Sequence, residues 1–509
     1  MGLLGTMVGQ ASQWRKSTYV PLRTQDEADS EPQSLHPPLT DDELYQDDTD
    51  HDTPNRSRTV RALGTATSIL IAILQGLLPS YIYLYSKRSK ERKLRGTSSL
   101  DGLRGLAAFF VTACHYFSFF TNVNTGYVPD KKETKSLWNL PIFKFFYSGS
   151  AMVFIFFVIS GYVLSLKSVK HMRQRDWGAL LETLASSTFR RGVRLFGPPV
   201  AIIVILAFLA QMGMWLPARS NASVIPMNMR YMIQPIPWSD KLLFLWRAMI
   251  DLTNCYRTSR GSWMEDMDGP LWTIPIEFKC SLILFLIILG SAKVKPGLAR
   301  KGLMGAFLAH QVFYQQWDTA LFLSGLLLAE FDTPHVIVKE EAPTKQTMKQ
   351  HLLWFAAILT GMYFCSTPKL NLKWSWGHVW LTRVAAIVYN EPERFWPSIG
   401  AIILVAAATR SDIFKRLLTT RIVQYIGDVS YAIYLIHVPI HRSFSWWLVP
   451  DMYKLTKPTA VGKWAIISGV FVISTMIVFT LGDLVWRYID VQCVKLARWL
   501  ETKFFLSSD

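Results

Sequence analysis

The sequence has little charge and few cysteines for its length. Only 18% of its 509 residues are Asp, Glu, Lys or Arg, whereas a soluble domain carries about 25%. Its five cysteines are scattered, which excludes a disulfide-stabilised scaffold and a CxxC metal site. It also lacks the GxGxxG loop, the Walker phosphate loop and metal-ligand spacing. These absences exclude a secreted disulfide-rich domain, a disordered regulator and an ordinary soluble enzyme.

Apolar and aromatic residues dominate instead, at 50% and 13% of the chain. A membrane crossing needs about 20 predominantly apolar residues. Apolar runs of roughly that length predict an all-α polytopic membrane protein with about ten core transmembrane helices. An extra apolar helix at 66–85 is interrupted by Pro79. The lipid bilayer of an endomembrane or of the plasma membrane is therefore the expected environment. The predicted core spans are 104–121, 147–166, 198–216, 270–290, 303–329, 351–366, 376–390, 396–409, 425–446 and 464–486.

The positive charge of the chain predicts its orientation. Its net charge of +17 comes from Lys and Arg that lie beside apolar spans, which argues against nucleic acid as a partner. Basic connections stay on the cytoplasmic side of a membrane, so 167–194, 292–302 and 410–421 are expected there. This frame places 217–269 outside, with a glycosylation sequon at Asn221. The short apolar stretch 242–252 is predicted to be re-entrant or interfacial.

Composition divides the chain into four parts. Residues 1–62 are acidic, lack apolar periodicity and are predicted to be a disordered tail; Gly2 and Thr6 fit a myristoylation pattern. Residues 63–99 hold the extra apolar helix and a basic linker, 100–486 form the membrane domain, and 487–509 are a short cytoplasmic tail. Two arrangements stay open for 66–85. Either it crosses and puts the acidic tail outside, or it lies in the interface and leaves the tail cytoplasmic.

Two polar residues share a face of the first core span. Arg104 and His115 are eleven residues apart, which is roughly 1100° of helical rotation, about 20° from three full turns. The rise between them is about 16.5 Å. Arg104 is thus expected at the cytoplasmic mouth and His115 near the middle of the bilayer. An ionisable residue at that depth is a candidate functional residue; the alternative is a structural histidine bonded to nearby backbone.

Other polar residues are predicted at a similar depth. Glu277 lies about 10 Å from the outer end of its span, so it is expected to meet His115 and to orient its imidazole. The alternatives are that Glu277 pairs with an arginine or stays protonated. His437 is a rival base or, with Tyr434, a ligand for the acyl acceptor; its alternative role is a core histidine bonded to a neighbouring helix.

Five stretches resemble the acyltransferase 3 family of integral membrane acyltransferases, in particular its fungal members. They are DGLRGLAAFFVTACH, FFVISGYVLS, FRRGVR, GPLWTIPIEF and IGDVSYAIYLIHVPI, in that order along the chain. The resemblance implies ten core helices and an acyl-coenzyme A donor. It implies that His115 is catalytic and that Arg104 belongs to the coenzyme site. Arg190, Arg191 and Arg194 match the basic cluster that the family associates with the donor; their alternative role is positive-inside anchoring.

The chain departs from the family at two points. Gly197 stands where the family usually has proline, and no esterase-like domain is expected after the last span. The function implied is a membrane O-acyltransferase, most simply an O-acetyltransferase, with acyl-CoA as cosubstrate and no bound cofactor or metal. The expected acceptor is a hydroxyl of a small molecule such as a secondary metabolite, with a cell-surface or cell-wall glycan as the alternative. A small-molecule transporter is the rival class, but the inverted repeat typical of transporters is not apparent.

Overall fold

A computed structural model of the chain describes residues 78–83, 94–131, 134–213, 236–256, 269–337, 346–456 and 458–505. The chain divides into two compact units, 1–83 and 84–509. In the first unit, the described residues include one 3₁₀ turn at Ser80–Tyr83. The predicted acidic tail, the linker, most of the 66–85 helix and the sequon at Asn221 lie outside the described residues.

The second unit is built from helices, and its described residues contain no β-sheet. The helices are α1 (Ser98–Ser118), α2 (Gly149–Gln174), α3 (Trp177–Gln211), α4 (Trp238–Thr253), α5 (Thr273–Ser291), α6 (Leu298–Phe313), α7 (Trp317–Ile337), α8 (Met348–Cys365), α9 (Val379–Val388), α10 (Pro392–Arg410), α11 (Asp412–Leu418), α12 (Arg421–Ile440), α13 (Trp446–Thr456), α14 (Ala460–Val485) and α15 (Val491–Phe504).

The all-α membrane architecture agrees with the sequence prediction, whereas the count of ten crossings is not confirmed. Among the described helices, four are long and apolar enough to cross a bilayer. They are α2, α3, α5 with the turn before it, and α14 continuing into α15. Taking α10 and α11 as one span bent by 91° raises the number to five. Helices α1 and α12 have 21 and 20 residues, and their polar residues interrupt the apolar pattern.

The prediction of a single span at 303–329 is wrong, because this stretch belongs to two helices. Helix α6 ends at Phe313 and α7 begins at Trp317. The polar break between them contains Gln315 with a φ of 59°, a left-handed conformation that does not continue a right-handed helix. The predicted span at 376–390 is reduced to the ten-residue helix α9, which is too short to cross alone. Residues 242–252 lie within α4, which buries Phe244, Ala248 and Leu252.

Small residues allow the helices at the centre of the unit to approach closely. A Cβ added to Gly161 of α2 would lie 2.1 Å from the carbonyl oxygen of Phe322 in α7. Gly325 of α7 meets the backbone of α2 in the same way. Glycine-mediated packing is typical of membrane helices, where dispersion between well-fitted backbones replaces the hydrophobic effect. This packing holds α2 and α7 together beside α1.

Two loops form a cap over the end of α1. We use the name cap for residues 119–131 with 134–148 and for residues 366–378. The amides of Lys369 and Leu370 donate to the carbonyl oxygen of Asn124 at 3.1 and 3.0 Å, and the amide of Trp376 donates to that of Tyr127 at 2.8 Å. The Lys144 ammonium group donates to the carbonyl oxygen of Val123. The cap is thereby tied to the same end of α1 that carries His115.

Candidate active site

Three histidines gather where α1 meets α12. The ring centroids of His115 and His437 are 5.3 Å apart, and those of His437 and His441 are 6.2 Å apart. His437 and His441 are both fully buried. The α-helix gives way to a π-helical turn at His441–Ser445, just after Pro439, and such turns are frequent at functional sites. The expected proximity of His437 to the site of His115 is therefore present in the structure.

The hydrogen bonds of His437 define its protonated nitrogen. Its Nδ1 lies 3.0 Å from the carbonyl oxygen of Ile433, which can only accept, so Nδ1 carries the hydrogen. Nε2 is then a lone-pair acceptor, and this buried atom has no protein partner among the described residues. A buried acceptor without a partner is unfavourable. His437 therefore offers an acceptor to a ligand hydroxyl. Its Nδ1 bond is to its own helix and not to a neighbouring helix, as the structural alternative had expected.

Tyr434 fixes the start of α5 beside this cluster. Its hydroxyl donates to the carbonyl oxygen of Pro270 at 2.8 Å and lies 2.7 Å from the hydroxyl oxygen of Thr273. Its ring centroid is 6.0 Å from that of His437. Tyr434 is buried, so it supports the site from one side and connects α12 to α5.

Arg104 occupies the opposite end of the α1 face. Its Nε donates to the hydroxyl of Ser430 at 3.1 Å and one terminal nitrogen donates to the carbonyl oxygen of Gly427 at 3.3 Å. Asp101, one turn earlier, pairs with it at 3.2 Å. The Arg104 side chain keeps 30% of its surface exposed. It is therefore held in place by α12 and still accessible to an anion.

The arginines of α3 form a cluster with carboxylates from other helices. Arg191 binds Glu277 at 2.7 Å and donates from Nε to the hydroxyl of Ser281 at 3.0 Å. Arg190 pairs with Glu501 of α15 at 3.2 Å. Arg194 is exposed and makes no ion pair among the described residues. The structure thus brings the three predicted donor-site arginines to one region.

Glu277 contacts the arginine cluster and not His115. Its Oε1 accepts from Arg191 and from the hydroxyl of Ser160 at 3.1 Å; none of its described contacts includes His115. The reason is the depth at which α5 begins. Pro270 and Thr273 already lie against Tyr434 inside the bundle, so Glu277 is displaced along α5 toward the arginines of α3. Of the alternatives weighed from sequence, pairing with an arginine is the one that the structure contains.

Sequence reasoning missed several residues of this site. His441 lies one turn beyond His437, and its Nδ1 is 2.8 Å from the hydroxyl oxygen of Ser474; the i, i+4 histidine spacing was a usable signal. Ser160, whose hydroxyl donates to Glu277, lies within the FFVISGYVLS motif, but no role in the site was predicted for it. Asp490 lies after the last predicted span, where no pattern pointed to chemistry. Arg194 and Arg104 both lie close enough to buried Asp490 to attract its carboxylate electrostatically.

The cap adds positive charge near His115. The positive charges of Lys369 in the cap and of Arg442 in the π-helical turn lie near its imidazole. Lys369 is also near Lys144 of the cap. Burial lowers the pKa of Lys144, which lies outside the membrane-spanning helices, to about 8. A positive environment near the imidazole favours a substrate with an electron-rich oxygen at that position.

The chain is similar to known acyltransferases over most of its length. A family model described as an acyltransferase domain matches residues 97–483. The O-acetyltransferase PaAT-1 of Phomopsis amygdali is 28% identical over 436 residues, which cover 82% of this chain and 86% of that protein. The acyltransferase R4 of a Phoma species is 26% identical over 72% of this chain and 88% of its own length. The acyltransferase clz18 of Cochliobolus lunatus is 25% identical over 70% of this chain and 84% of its own.

No solved structure is significantly similar to the chain. The family match and the relatives nevertheless agree with the residues on which the resemblance was first seen, since all five motifs lie between 97 and 483. Four of the described helices are also long and apolar enough to cross a membrane. This chain belongs to the acyltransferase 3 family and is an integral membrane acyltransferase.

Proposed function

We propose that the protein transfers an acyl group, acetyl in the preferred case, from acyl-CoA to a hydroxyl of a small molecule. One observation carries this proposal: at one end of α1, Arg104 lies near the same buried carboxylate, Asp490, as Arg194 of the cluster, and at the other end His115 lies beside His437. The two side chains are about 16.5 Å apart along one helix face. An extended pantetheine arm bound by its nucleotide at the arginines therefore reaches toward the histidines.

The donor half of the site is expected to face the cytoplasm, where coenzyme A is abundant. Guanidinium groups suit phosphates because they donate paired hydrogen bonds in a fixed plane and stay charged. Arg104, Arg190, Arg191 and Arg194 provide four of them. In the proposal, the donor phosphates bind the N–H groups of Arg191 that Glu277 and Ser281 leave free, and Glu277 acts as a positioning residue that holds this arginine in place. A direct contact of Glu277 with His115 would require Glu277 to leave Arg191.

In the transfer step, His115 is the general base. Its imidazole takes the proton of the acceptor hydroxyl while that oxygen attacks the thioester carbonyl. The tetrahedral intermediate then expels the coenzyme A thiolate, which takes the proton back, and the ester is released. A second route, in which His115 first accepts the acyl group and then passes it to the hydroxyl, gives the same overall reaction. His437 Nε2 and Tyr434 are placed to bind the acceptor.

A small-molecule acceptor is preferred to a glycan. The supporting observations are the burial of His437 and His441 and the aromatic rings around them, since ring centroids of Tyr116 and His441 lie 5.2 Å apart. An apolar, aromatic site suits a compact, largely hydrophobic alcohol, including many secondary metabolites, better than a hydrated polysaccharide. The name of PaAT-1, an O-acetyltransferase, supports acetyl as the acyl group. A glycan of a cell wall or cell surface is the second candidate.

Two measurements test this function. Membranes containing the protein are incubated with labelled acetyl-CoA and a panel of alcohols, and metabolites of a deletion strain are profiled to name the acceptor. His115→Ala is expected to reduce transfer by about 100-fold or more, the range for loss of a general base. His310→Ala, an exposed histidine of α6, is the matched control and should keep full activity. Full transfer by His115→Ala would contradict the proposed catalytic role.

A further inference from the structure

His441 is a buried histidine of the site that has no part in the reaction described so far. It begins the π-helical turn His441–Ser445 and is fully buried. Its ring centroid lies 6.2 Å from that of His437 and 5.2 Å from that of Tyr116. The ring centroid of His437 lies in turn 5.3 Å from that of His115, the neighbour of Tyr116 in α1. His441 therefore borders the same site as the proposed general base.

Two serines define which nitrogen of this ring carries the hydrogen. Ser445 donates to the Oγ of Ser474 at 3.1 Å, and this Oγ lies 2.8 Å from Nδ1 of His441. Both serines are fully buried. If Nδ1 carried the hydrogen, Ser474 would accept twice and its own hydrogen would be buried without an acceptor, which is unfavourable. In the fully bonded arrangement, Ser474 donates to Nδ1, so the ring hydrogen is on Nε2.

The N–H group of His441 has no hydrogen-bond partner in the part of the chain that the structure describes. Its Nε2 is buried and unbonded there. The carbonyl oxygen of Thr112 in α1 lies near the ring, but it is not in hydrogen-bonding geometry with Nε2. His437 has the opposite property, because its hydrogen is on Nδ1 and its unbonded Nε2 can only accept. The two histidines thus present one donor and one acceptor to the same site.

A buried donor of this kind is what acyl transfer requires. When the acceptor oxygen attacks the thioester carbonyl, a C–O bond forms, the π electrons of the carbonyl move to its oxygen, and the hydroxyl proton passes to His115. The negative oxygen is stabilised by donors that are in place before the reaction. When the intermediate collapses, the C=O bond forms again, the C–S bond breaks, and the thiolate takes the proton from His115. The lone pair of His437 would repel the negative oxygen, so His437 is unsuited to bind it.

We propose that His441 binds the oxyanion, its Nε2–H group donating to the carbonyl oxygen of the thioester as this oxygen becomes negative. Ser474 and Ser445 are positioning residues that keep the hydrogen on Nε2. This inference rests on the proposed function, in which a hydroxyl attacks an acyl thioester. The three histidines then have separate roles: His115 transfers the proton, His437 binds the acceptor and His441 stabilises the intermediate.

The experiment measures the kinetics of full-length variants in lipid nanodiscs, with acetyl-CoA and the alcohol that accumulates in the deletion strain. His441→Leu should lower kcat and kcat/KM equally, by about 100-fold or more, the effect of losing an oxyanion donor. The KM values for both substrates should stay within about 3-fold, because the contact strengthens only in the transition state. His441→Gln places an amide N–H group near the position of Nε2, so its kcat should exceed that of His441→Leu by about 10-fold.

The serines separate the effect of the ring hydrogen from that of packing. Ser474→Ala removes the donor to Nδ1, so kcat should fall about 5- to 10-fold, the effect of one neutral hydrogen bond. Ser474→Thr keeps the hydroxyl and should stay within about 2-fold of the unaltered protein. Ser443→Ala is the matched control, because this serine of the same turn donates to the carbonyl oxygens of Pro439 and Ile440 in its own helix. Its kcat should be unchanged.

A normal kcat in His441→Leu or in Ser474→Ala would overturn the inference. So would a raised acceptor KM with unchanged kcat in His441→Leu, which would make His441 an acceptor-binding residue. Thermal unfolding is measured for every variant, and equal losses of stability and kcat in His441→Leu and His441→Gln would assign His441 to packing. Should His441→Leu fail to insert, equal kcat values for Ser474→Ala and Ser443→Ala would contradict the inference.

His115→Ala distinguishes this inference from the proposed function. Loss of transfer in His115→Ala beside normal transfer in His441→Leu would overturn the role of His441 and leave the proposed function intact. Full transfer in His115→Ala would overturn the proposed mechanism itself, whatever the His441 variants do.

Discussion

Gly105 of α1 and Gly427 of α12 are in backbone contact. A Cβ on Gly105 would lie 2.5 Å from the amide nitrogen of Gly427, and a Cβ on Gly427 would lie 2.5 Å from the carbonyl oxygen of Asp101. The partners are backbone atoms that cannot rotate away. This crossing is what allows Arg104 to reach Ser430 and the Gly427 carbonyl oxygen. The glycines in the DGLRG and IGDVSY motifs are therefore required for packing, next to the arginine that we propose for the donor site.

Gly427→Val should separate these two helices. We expect a loss of stability of about 1–3 kcal/mol, the range for overpacking a close contact, and a reduced affinity for the acyl donor as Arg104 moves away from α12. Thermal unfolding and donor KM measure the two effects. Gly469→Val is the control, because nothing lies within 4 Å of a Cβ at Gly469. Equal stability of the two variants would contradict the contact.

The contrast between Arg104 and Glu277 shows how much the sequence could predict. Arg104 and His115 lie on one helix, so helical geometry alone placed them on a common face. The location of Glu277 depends on where α5 begins in the bundle, and this is fixed by the hydroxyl of Tyr434, 161 residues from Thr273. Apolar runs indicated the helices, but the break at Gln315 carries no proline or glycine and was missed. Residues such as Asp490 join the site only through tertiary packing.

Glu277→Gln tests whether this carboxyl acts on Arg191 or on His115. The structure predicts the first: the KM for the donor should rise roughly 10-fold as the charged hydrogen bond is lost, while the pH profile of kcat stays in place. Arg191→Ala should raise the same KM by at least as much. A pH profile that moves in Glu277→Gln, with the donor KM unchanged, would instead support a direct effect on the imidazole.

His437→Ala should weaken binding of the acceptor and not of the donor. The expected rise in acceptor KM is about 5- to 10-fold, the effect of one neutral hydrogen bond of about 1–1.5 kcal/mol. His437→Asn should recover part of the affinity if its amide offers a hydrogen bond at the same place. His310→Ala again serves as the control. A larger effect on the donor KM than on the acceptor KM would place His437 in the donor half.

The orientation of the bundle is open to cysteine labelling. Exposed Lys170 is the probe of the connection expected in the cytoplasm, and exposed Lys135 is the probe of the cap. In a variant without native cysteines, a membrane-impermeant maleimide should label Lys135→Cys in intact cells if the protein reaches the plasma membrane. Lys170→Cys should react only after permeabilisation. The reverse pattern would place the arginine cluster on the side where coenzyme A is scarce.

Lys144 should make the stability of the cap depend on pH. Its pKa is lowered from the ordinary 10.5 to about 8, mainly by burial; Cys114 opposes this shift and the positive charge of Lys369 adds a smaller lowering. Between pH 8 and 10.5 the unfolded chain therefore keeps a proton that the folded protein has lost. Stability must then rise with pH across this window, by up to about 1.4 kcal/mol per unit.

Lys144→Met removes the titrating group and keeps an apolar stem of similar length. Below pH 8 it relieves the cost of burying an ammonium group but loses the bond to the Val123 carbonyl oxygen, so the two effects oppose each other there. Across the window, its thermal unfolding temperature should rise less with pH than that of the unaltered protein. Lys135→Met, at an exposed position of the same loop, should follow the unaltered protein. Parallel curves for all three proteins between pH 8 and 10 would show that Lys144 does not titrate in the folded cap.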